Sequence, residues 1–190
     1  SSISSTPLMM LSCQDLKVVP ITTHLKLADA ISEISTRRII NTCILTANSL
    51  ATDFGVKNPH IAVAGLNPHA GEGGQLGEEE QKIIEPAVSE LQSIGLNVSG
   101  PLSPDTLFSR PIRKTFDVAI CMYHDQALIP IKTLDFEQSV NITLGLPFVR
   151  TSPDHGTALD IAGQGIANEK SMVAAIQVAS SIAKYRSLEK

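Results

Sequence analysis

Short apolar segments alternate with segments of helical periodicity along this 190-residue chain. Apolar residues recur every three or four positions over residues 27–50 and again over residues 169–185, as they do on one face of a helix. The predicted strands are residues 18–21, 61–65, 96–98, 117–122, 140–144 and a short one at 148–150. This alternation predicts an α/β fold in which helices are layered over a largely buried sheet.

A further helix is predicted at residues 78–94, and it carries its own boundary signals. Glu78, Glu79 and Glu80 place negative charge in the first turn, where the helix dipole favours it. Gly95 is suited to terminate the helix. Pro86 should kink it, because proline has no N–H group to donate within the helix.

The composition limits the classes of function. Lys and Arg number 15 and Asp and Glu 19, which gives a formal net charge of −4, and the cations are scattered singly. We therefore expect no nucleic-acid interface, and no apolar run is long enough to predict a membrane span. Cys13, Cys43 and Cys121 are expected to be reduced thiols of a cytoplasmic protein. Residues 1–6 are Ser-rich without a signal-peptide layout, and we expect a disordered edge or a cut end there.

Three histidines lie just beyond the carboxyl ends of predicted strands: His24, His69 and His124. Ligand sites in open α/β sheets gather at that edge. Neutral imidazole binds divalent transition metals, and three protein ligands with one open position are typical of a catalytic metal site. Taken singly, each could equally be a loop or capping histidine. We interpret His60, which precedes a strand, as an ordinary surface residue.

Two segments are rich in glycine and polar residues. Residues 67–74 contain three glycines, but they lack the Gly-Lys-Ser/Thr ending of a Walker loop and the glycine spacing of a Rossmann fingerprint. This segment is either a ligand-binding loop or a plain strand-to-helix connection. Residues 151–168 could surround an adenosine or a phosphate, or could form a helix cap followed by a turn.

At these segments the sequence resembles the 4-hydroxythreonine-4-phosphate dehydrogenases of vitamin B6 biosynthesis. The blocks that carry the resemblance are residues 22–24, 65–74 with 77–80, 100–102 with 105–108, and 122–168. Residues 155–168 are also similar to the cofactor loop of isocitrate and isopropylmalate dehydrogenases. The resemblance implies the layered α/β/α fold of those enzymes.

The resemblance also implies the residues of the site. His24, His69 and His124 match the metal-binding histidines of the family, with zinc expected first and cobalt, nickel or magnesium as alternatives. The residues implied for substrate binding are Lys132, Asn141 and Arg150, and those for NAD or NADP are His155, Gly156, Thr157, Ala158 and Asn168. Structural ion pairing is the alternative for the two cations. The catalytic candidates are Asp105 and Lys132, whereas Asp125 and Asp154 could orient an imidazole or cap a helix.

The reaction implied is a metal-dependent oxidation of 4-phosphooxy-L-threonine by NAD or NADP, with decarboxylation to 3-amino-2-oxopropyl phosphate. Active sites shared across a homodimer are implied as well. Residues 1–132 are expected to form a metal-binding and dimerisation domain, and residues 133–190 to return into the nucleotide-binding domain. The family's N-terminal region, with part of that domain and a His-Thr substrate pair, has no counterpart in this sequence. We therefore expect the fragment alone to be inactive.

Three alternatives remain open at this point. The first is a related substrate, such as 4-phospho-D-threonate, 4-phospho-D-erythronate or a dihydrodiol of an aromatic acid. The second is a non-enzymatic metal-binding or dimerisation module. The third, an α/β protein similar to phosphoacyltransferases, is disfavoured by the three candidate metal histidines.

Overall fold

The protein folds around one seven-stranded sheet in a computed structural model that describes residues 7–188. The expectations for the Ser-rich start lie outside the described residues. The strands are β1 (Leu8–Cys13), β2 (Leu16–Pro20), β3 (Ile61–Ala64), β4 (Val98–Leu102), β5 (Val118–Cys121), β6 (Val140–Leu144) and β7 (Thr151–Pro153).

Six α-helices accompany the sheet in the described chain. They are α1 (Leu27–Glu33), α2 (Thr36–Phe54), α3 (Glu85–Ser93), α4 (Pro104–Leu107), α5 (His124–Leu134) and α6 (Lys170–Leu188). Short helical turns occur at Ile112–Lys114 and Leu159–Ile161, and a π-helical turn, Glu80–Ile84, precedes α3. No helix within residues 7–188 combines the length and apolar character needed to cross a membrane.

The sheet is parallel on one side and antiparallel on the other. Its strand order is β4-β3-β5-β2-β1-β6-β7. The first four of these strands run parallel to one another, whereas β1 is antiparallel to both of its neighbours and β7 is antiparallel to β6. The carboxyl ends of β3, β5 and β2 therefore lie side by side at one edge of the sheet.

Helices cover both faces of the sheet, which confirms the predicted α/β fold class. Leu50 of α2 and Ile182 of α6 share one core cluster with Ile120 of β5. Ile131 of α5 belongs to a second cluster, together with Leu11 of β1. Strands β3 and β5 are buried along their whole length, which explains why they read as unbroken apolar runs.

A buried ion pair joins the carboxyl end of α2 to that of α6. Asp53, which is 3% exposed, accepts hydrogen bonds from Nε and Nη2 of Arg186 at 2.7 and 2.8 Å. Arg186 also donates from Nη1 to the carbonyl oxygen of Leu146 at 3.2 Å. This bidentate contact stabilises the position of α6 against the long helix α2.

The predicted helix over residues 27–50 is wrong in one respect, because the structure has two helices there. Ile34 is extended, with ψ 124°, and Ser35 caps α2 by accepting a hydrogen bond from the backbone N–H of Arg38 at 3.3 Å. A serine in an extended conformation satisfies a free N–H at a helix start, so the chain breaks there although the apolar spacing continues. Helix α2 then extends to Phe54, where Gly55 terminates it in the left-handed conformation.

Other differences are local. Strand β1 was not predicted, β4 begins where the predicted strand 96–98 ends, and β7 follows rather than occupies residues 148–150. The helix after residue 78 changes from π to α geometry directly before Pro86, in place of a simple kink. His60 is half-buried at the surface, and its ring contacts the Thr115 carbonyl at 2.6 Å and the Ser99 hydroxyl at 2.9 Å, two partners that the sequence did not predict.

The segment after residue 132 contributes β6, β7 and α6 to the same layered unit. Strand β6 pairs with β1 over five residue pairs, from Leu8 opposite Leu144 to Ser12 opposite Val140. The division of the chain at residue 132 into two functional domains stays a prediction.

Candidate active site at the carboxyl edge of the sheet

The three histidines follow three neighbouring parallel strands. His24 comes after β2, His124 after β5 and His69 after β3. Because these strands are adjacent in the sheet, all three loops leave it at the same edge. The rings of His24 and His124 lie with their centroids 5.7 Å apart. The tertiary structure thus brings two of the three predicted ligands together.

Buried polar side chains tie these strand ends to one another. The Thr22 hydroxyl donates to the carbonyl oxygen of Met122 at 2.9 Å, which links β2 to β5. Gln126 accepts from the N–H of Met122 at 2.6 Å and donates to the carbonyl oxygen of Gly65 at 2.8 Å, which links β5 to β3. Sequence reasoning missed Thr22 and Gln126 as structural residues of the site. Their signal was a polar residue within two positions of a candidate ligand.

The ring of His124 is oriented by its neighbour. Its Nδ1 lies 2.7 Å from a carboxylate oxygen of Asp125. A carboxylate in this position favours the tautomer with hydrogen on Nδ1, which leaves Nε2 free to bind a metal. The structure therefore gives Asp125 the contact expected of a residue that orients a ligating imidazole. His24 is exposed at the same edge.

The loop that carries His69 has an unusual backbone. Five consecutive residues, from His69 to Gly73, have positive φ between 45° and 78°. We call residues 65–77 the glycine loop. The left-handed conformation costs about 1–2 kcal/mol for each residue with a side chain, and His69, Ala70 and Glu72 adopt it nevertheless. Strain of this kind persists only where the surrounding structure enforces it, and it is concentrated at functional sites.

His69 is open to solvent in this loop. Its side chain is 64% exposed, and its Nδ1 lies 3.8 Å from a carboxylate oxygen of Glu72. Asp105, on α4, carries a lowered pKa, first because the Ser103 hydroxyl donates to it at 2.6 Å and also because of the nearby charge of His69. Asp105 is therefore ionised at neutral pH and supplies a negative charge near His69.

Two imidazoles are neighbours at this edge, but the three predicted ligands do not form one group within the described residues. Within residues 7–188, no group of three or more His, Cys, Asp or Glu side chains is arranged to hold a metal ion. His24 and His124 present neighbouring nitrogen ligands, the donor type that zinc, cobalt and nickel accept. His69 faces solvent at the same edge, so it is free to complete a site.

The three predicted substrate residues lie on or beside one face of the sheet. Asn141 and Thr143 of β6 pair with Leu11 and Met9 of β1, whose side chains belong to the core beneath α5. Arg150 donates from Nη1 to the hydroxyl of Thr143 at 2.7 Å, which draws its guanidinium toward that face. This arrangement provides an amide and a cation for an anionic group.

Lys132, on α5, approaches this region from the helix. Its Nζ donates to the carbonyl oxygen of Asp154 at 3.2 Å and lies 3.5 Å from a carboxylate oxygen of the same residue. The Ser139 hydroxyl donates to that carboxylate at 3.3 Å. Asp154 thus contacts the predicted substrate lysine rather than an imidazole.

The predicted cofactor residues lie in an exposed segment between β7 and α6. The Nδ1 of His155 is 2.9 Å from the carbonyl oxygen of Gly156, and Ala158 has a φ of 47°. Asn168 donates from Nδ2 to Glu137 at 3.1 Å. Gly156 and Thr157 are exposed.

The family described as pyridoxal phosphate biosynthetic protein PdxA matches residues 2–179. The chain belongs to the PdxA family. A relative named 4-hydroxythreonine-4-phosphate dehydrogenase, from Caulobacter vibrioides, is 57% identical over 180 residues, which cover 95% of this chain and 54% of the relative. The predicted family resemblance is thereby confirmed.

Solved structures agree with the family and the fold. A crystal structure of 4-hydroxythreonine-4-phosphate dehydrogenase from Klebsiella pneumoniae is 45% identical, with a TM-score of 0.85, over 93% of this chain and 53% of that one. A terephthalate 1,2-cis-dihydrodiol dehydrogenase from Burkholderia xenovorans is 31% identical, with a TM-score of 0.75, over 92% of this chain and 55% of that one. This PdxA-family chain spans about half the length of the curated relatives it matches.

Proposed function

We propose that this PdxA-family chain carries the metal and substrate residues of an oxidoreductase that acts on 4-hydroxythreonine 4-phosphate in pyridoxal phosphate biosynthesis. The observation that carries the proposal is the 57% identity to a relative named for that activity, over 95% of the chain. The geometry supports it, since paired imidazoles lie at the sheet edge and the guanidinium of Arg150 contacts Thr143 of β6. Oxidation of the substrate hydroxyl gives a β-keto acid, which loses CO2 to give 3-amino-2-oxopropyl phosphate.

His24, His69 and His124 are the proposed ligands of one divalent metal, with zinc the first expectation and cobalt, nickel or magnesium the alternatives. Because the three histidines do not form one metal-binding group within the described residues, we propose a site completed across a homodimer, in which His69 of the partner subunit joins His24 and His124. When bound, the metal polarises the substrate hydroxyl and lowers its pKa.

The remaining residues bind and orient the substrate. Lys132, Asn141 and Arg150 hold its phosphate or carboxylate, with Arg150 as a planar fork and Lys132 as a point charge. Lys132 and Asp105 are the proposed catalytic residues. Lys132 donates a hydrogen bond to the substrate oxygen on which charge develops. The ionised Asp105, whose pKa is lowered first by the hydrogen bond from Ser103, stabilises positive charge on a proton-carrying group of the substrate.

NAD or NADP accepts the hydride in this proposal. The segment that contains His155, Gly156, Thr157, Ala158 and Asn168 is exposed and free to meet an adenosine or a pyrophosphate. Backbone N–H groups near its glycine are suited to phosphate oxygens. We also propose a cytoplasmic location, in keeping with the free thiols of Cys13, Cys43 and Cys121.

An activity assay tests the proposal directly. The chain spans about half the length of its relatives, so the assay uses purified protein that spans their whole length. It is mixed with 4-phosphooxy-L-threonine and either NAD or NADP, before and after treatment with a chelator, and reduced cofactor is followed by absorbance. Turnover that is lost with the chelator and restored by zinc or cobalt is the expected result. Turnover unaffected by metal removal overturns the metal assignment, and a monomer by light scattering overturns the shared site.

A second candidate is dehydrogenation of a different diol on the same scaffold. It is favoured by the likeness to the terephthalate dihydrodiol dehydrogenase, at a TM-score of 0.75. Running the same assay with a terephthalate dihydrodiol, 4-phospho-D-threonate and 4-phospho-D-erythronate distinguishes the substrates by their kcat/KM. Calorimetric titration with NAD, NADP and zinc separates an active site from an inactive metal-binding fragment.

A further inference from the structure

The glycine loop is folded around a single buried carboxylate, that of Glu80. Glu80 is 1% exposed, although it is an acidic residue in the first turn of a helix. One of its oxygens accepts from the backbone N–H groups of Leu66 and Asn67, both at 2.7 Å. The other accepts from the side-chain amide of Asn67 at 2.9 Å. Three N–H donors thus meet a charge that is otherwise costly to bury.

The loop leaves no room for a side chain around this carboxylate. A Cβ atom added to Gly71 would lie 2.7 Å from one oxygen of Glu80, and one added to Gly65 would lie 3.2 Å from the other. Both contacts are closer than ordinary van der Waals distances. A side chain at the left-handed centre of the loop, where Gly71 has a φ of 78°, would therefore be strained, and one at Gly65 would require its neighbours to shift.

His69 lies between these fixed points. It is two residues after Asn67, which binds Glu80, and two residues before Gly71, which closes against Glu80. The helical turn that carries Glu80 is anchored in the core, because Ile84 is fully buried and the Thr36 hydroxyl donates to the carbonyl oxygen of Ile83 at 3.0 Å. The position of His69 is thereby linked to helix α2.

We propose that Glu80 is a positioning residue, which holds the glycine loop in its left-handed conformation and so places the imidazole of His69 for metal binding. The inference about the metal rests on the function proposed above. The inference about the loop does not, because it concerns contacts within this chain. Outer residues that orient a metal ligand typically contribute about 10- to 100-fold in metal affinity.

The test compares Glu80→Gln with Glu78→Gln in the purified protein. Glu78 is in the same acidic run, but it is exposed and pairs with Lys82. Glu80→Gln keeps the size of the side chain and replaces one acceptor oxygen with an NH2 group that faces the Asn67 amide. Gly71→Ala provides a second variant, which displaces the loop from the carboxylate without changing Glu80.

Two readouts are measured, neither of which is turnover. In metal-free protein, hydrogen exchange of the Leu66 and Asn67 amides should become about 10- to 100-fold faster in Glu80→Gln, because hydrogen bonds to a charged acceptor are weakened. Cobalt titration should show an affinity about 10- to 100-fold lower. Gly71→Ala should also speed the exchange and lower the cobalt affinity. Glu78→Gln should match the parent protein in both readouts. Exchange of the α5 amides should be the same in every variant.

Each outcome decides one of the two proposals. Unchanged exchange and unchanged cobalt affinity in Glu80→Gln overturn the positioning role. Faster exchange with unchanged cobalt affinity shows that Glu80 holds the loop but that the loop does not place a metal ligand. This result also overturns the positioning role. A parent protein that binds no cobalt, zinc or nickel overturns the proposed metal site instead, and the exchange rates alone then decide whether Glu80 holds the loop.

Discussion

The ammonium group of Lys132 lies 3.5 Å from the carboxylate of Asp154, and the side chain of Asp154 is only 12% exposed. Lysine and aspartate therefore form a partly buried pair next to the face on which Asn141 and Arg150 lie. Removing either partner therefore leaves the other as an uncompensated, partly buried charge.

Lys132→Ala should raise the KM for the phosphorylated substrate by about 10- to 100-fold, since a charged hydrogen bond is lost and Asp154 then repels the anion. The double variant Lys132→Ala/Asp154→Asn should recover part of that loss, because the repulsion is removed. Steady-state kinetics of the four proteins in this mutant cycle measure the coupling. Lys82→Ala, at an exposed lysine that pairs with Glu78, is the matched control. Purely additive effects would count against a coupled pair.

His124 and Asp125 make a second testable unit. Asp125→Asn should lower zinc or cobalt affinity by about 10- to 100-fold, because the carboxylate no longer fixes the ring and its tautomer. His124→Ala should lower it further, since a ligand is removed. Calorimetric titration of metal-free protein measures both. His155→Ala, an exposed histidine outside the sheet edge, should leave the metal affinity unchanged, and an equal loss in that control would refute the assignment.

The Asp53–Arg186 pair should control stability rather than catalysis. Arg186→Leu leaves the carboxylate of Asp53, which is 3% exposed, without its cation. We expect the free energy of unfolding to fall by about 3 kcal/mol, measured by urea denaturation. Lys184→Ala, at an exposed site two residues earlier on the same helix, should change it by less than about 0.5 kcal/mol. Similar losses in the two variants would show that the pair is not the cause.

Cys43 should make stability fall at alkaline pH. Burial raises the pKa of its thiol from 9.0 to about 12. Above pH 9 the unfolded thiol ionises while the folded one stays protonated, so the free energy of unfolding decreases until the pH reaches the folded pKa. The slope should approach about 1.4 kcal/mol per pH unit in that window.

The measurement is urea unfolding at pH 8, 9, 10 and 11, compared between the parent protein and Cys43→Ala. The substituted protein should be less stable at pH 8, because a cavity forms in the core, but it should lose stability more slowly as the pH rises. Burial also raises the pKa of Cys121, so part of the alkaline loss should persist in the variant. Parallel slopes in the two proteins would contradict the prediction.

The sequence by itself determined the fold class and the edge at which the histidines lie. Buried parallel strands such as β3 and β5 must be apolar on both faces, and their ends are marked by the turn residues that follow. These are local properties, so they can be read from the order of residues. The break between α1 and α2 at Ser35 was not predicted, because a cap residue does not interrupt the apolar spacing of a helix.

Only the tertiary structure decided which residues meet. His24 and His124 are 100 positions apart, yet their rings are neighbours because β2 and β5 are paired. The acidic run that ends at Glu80 predicted the first turn of a helix, whereas the folded chain also encloses Glu80 in the glycine loop. The physical reason is that a carboxylate can be buried wherever enough N–H groups converge on it. That convergence depends on how distant segments pack, which the local sequence pattern does not specify.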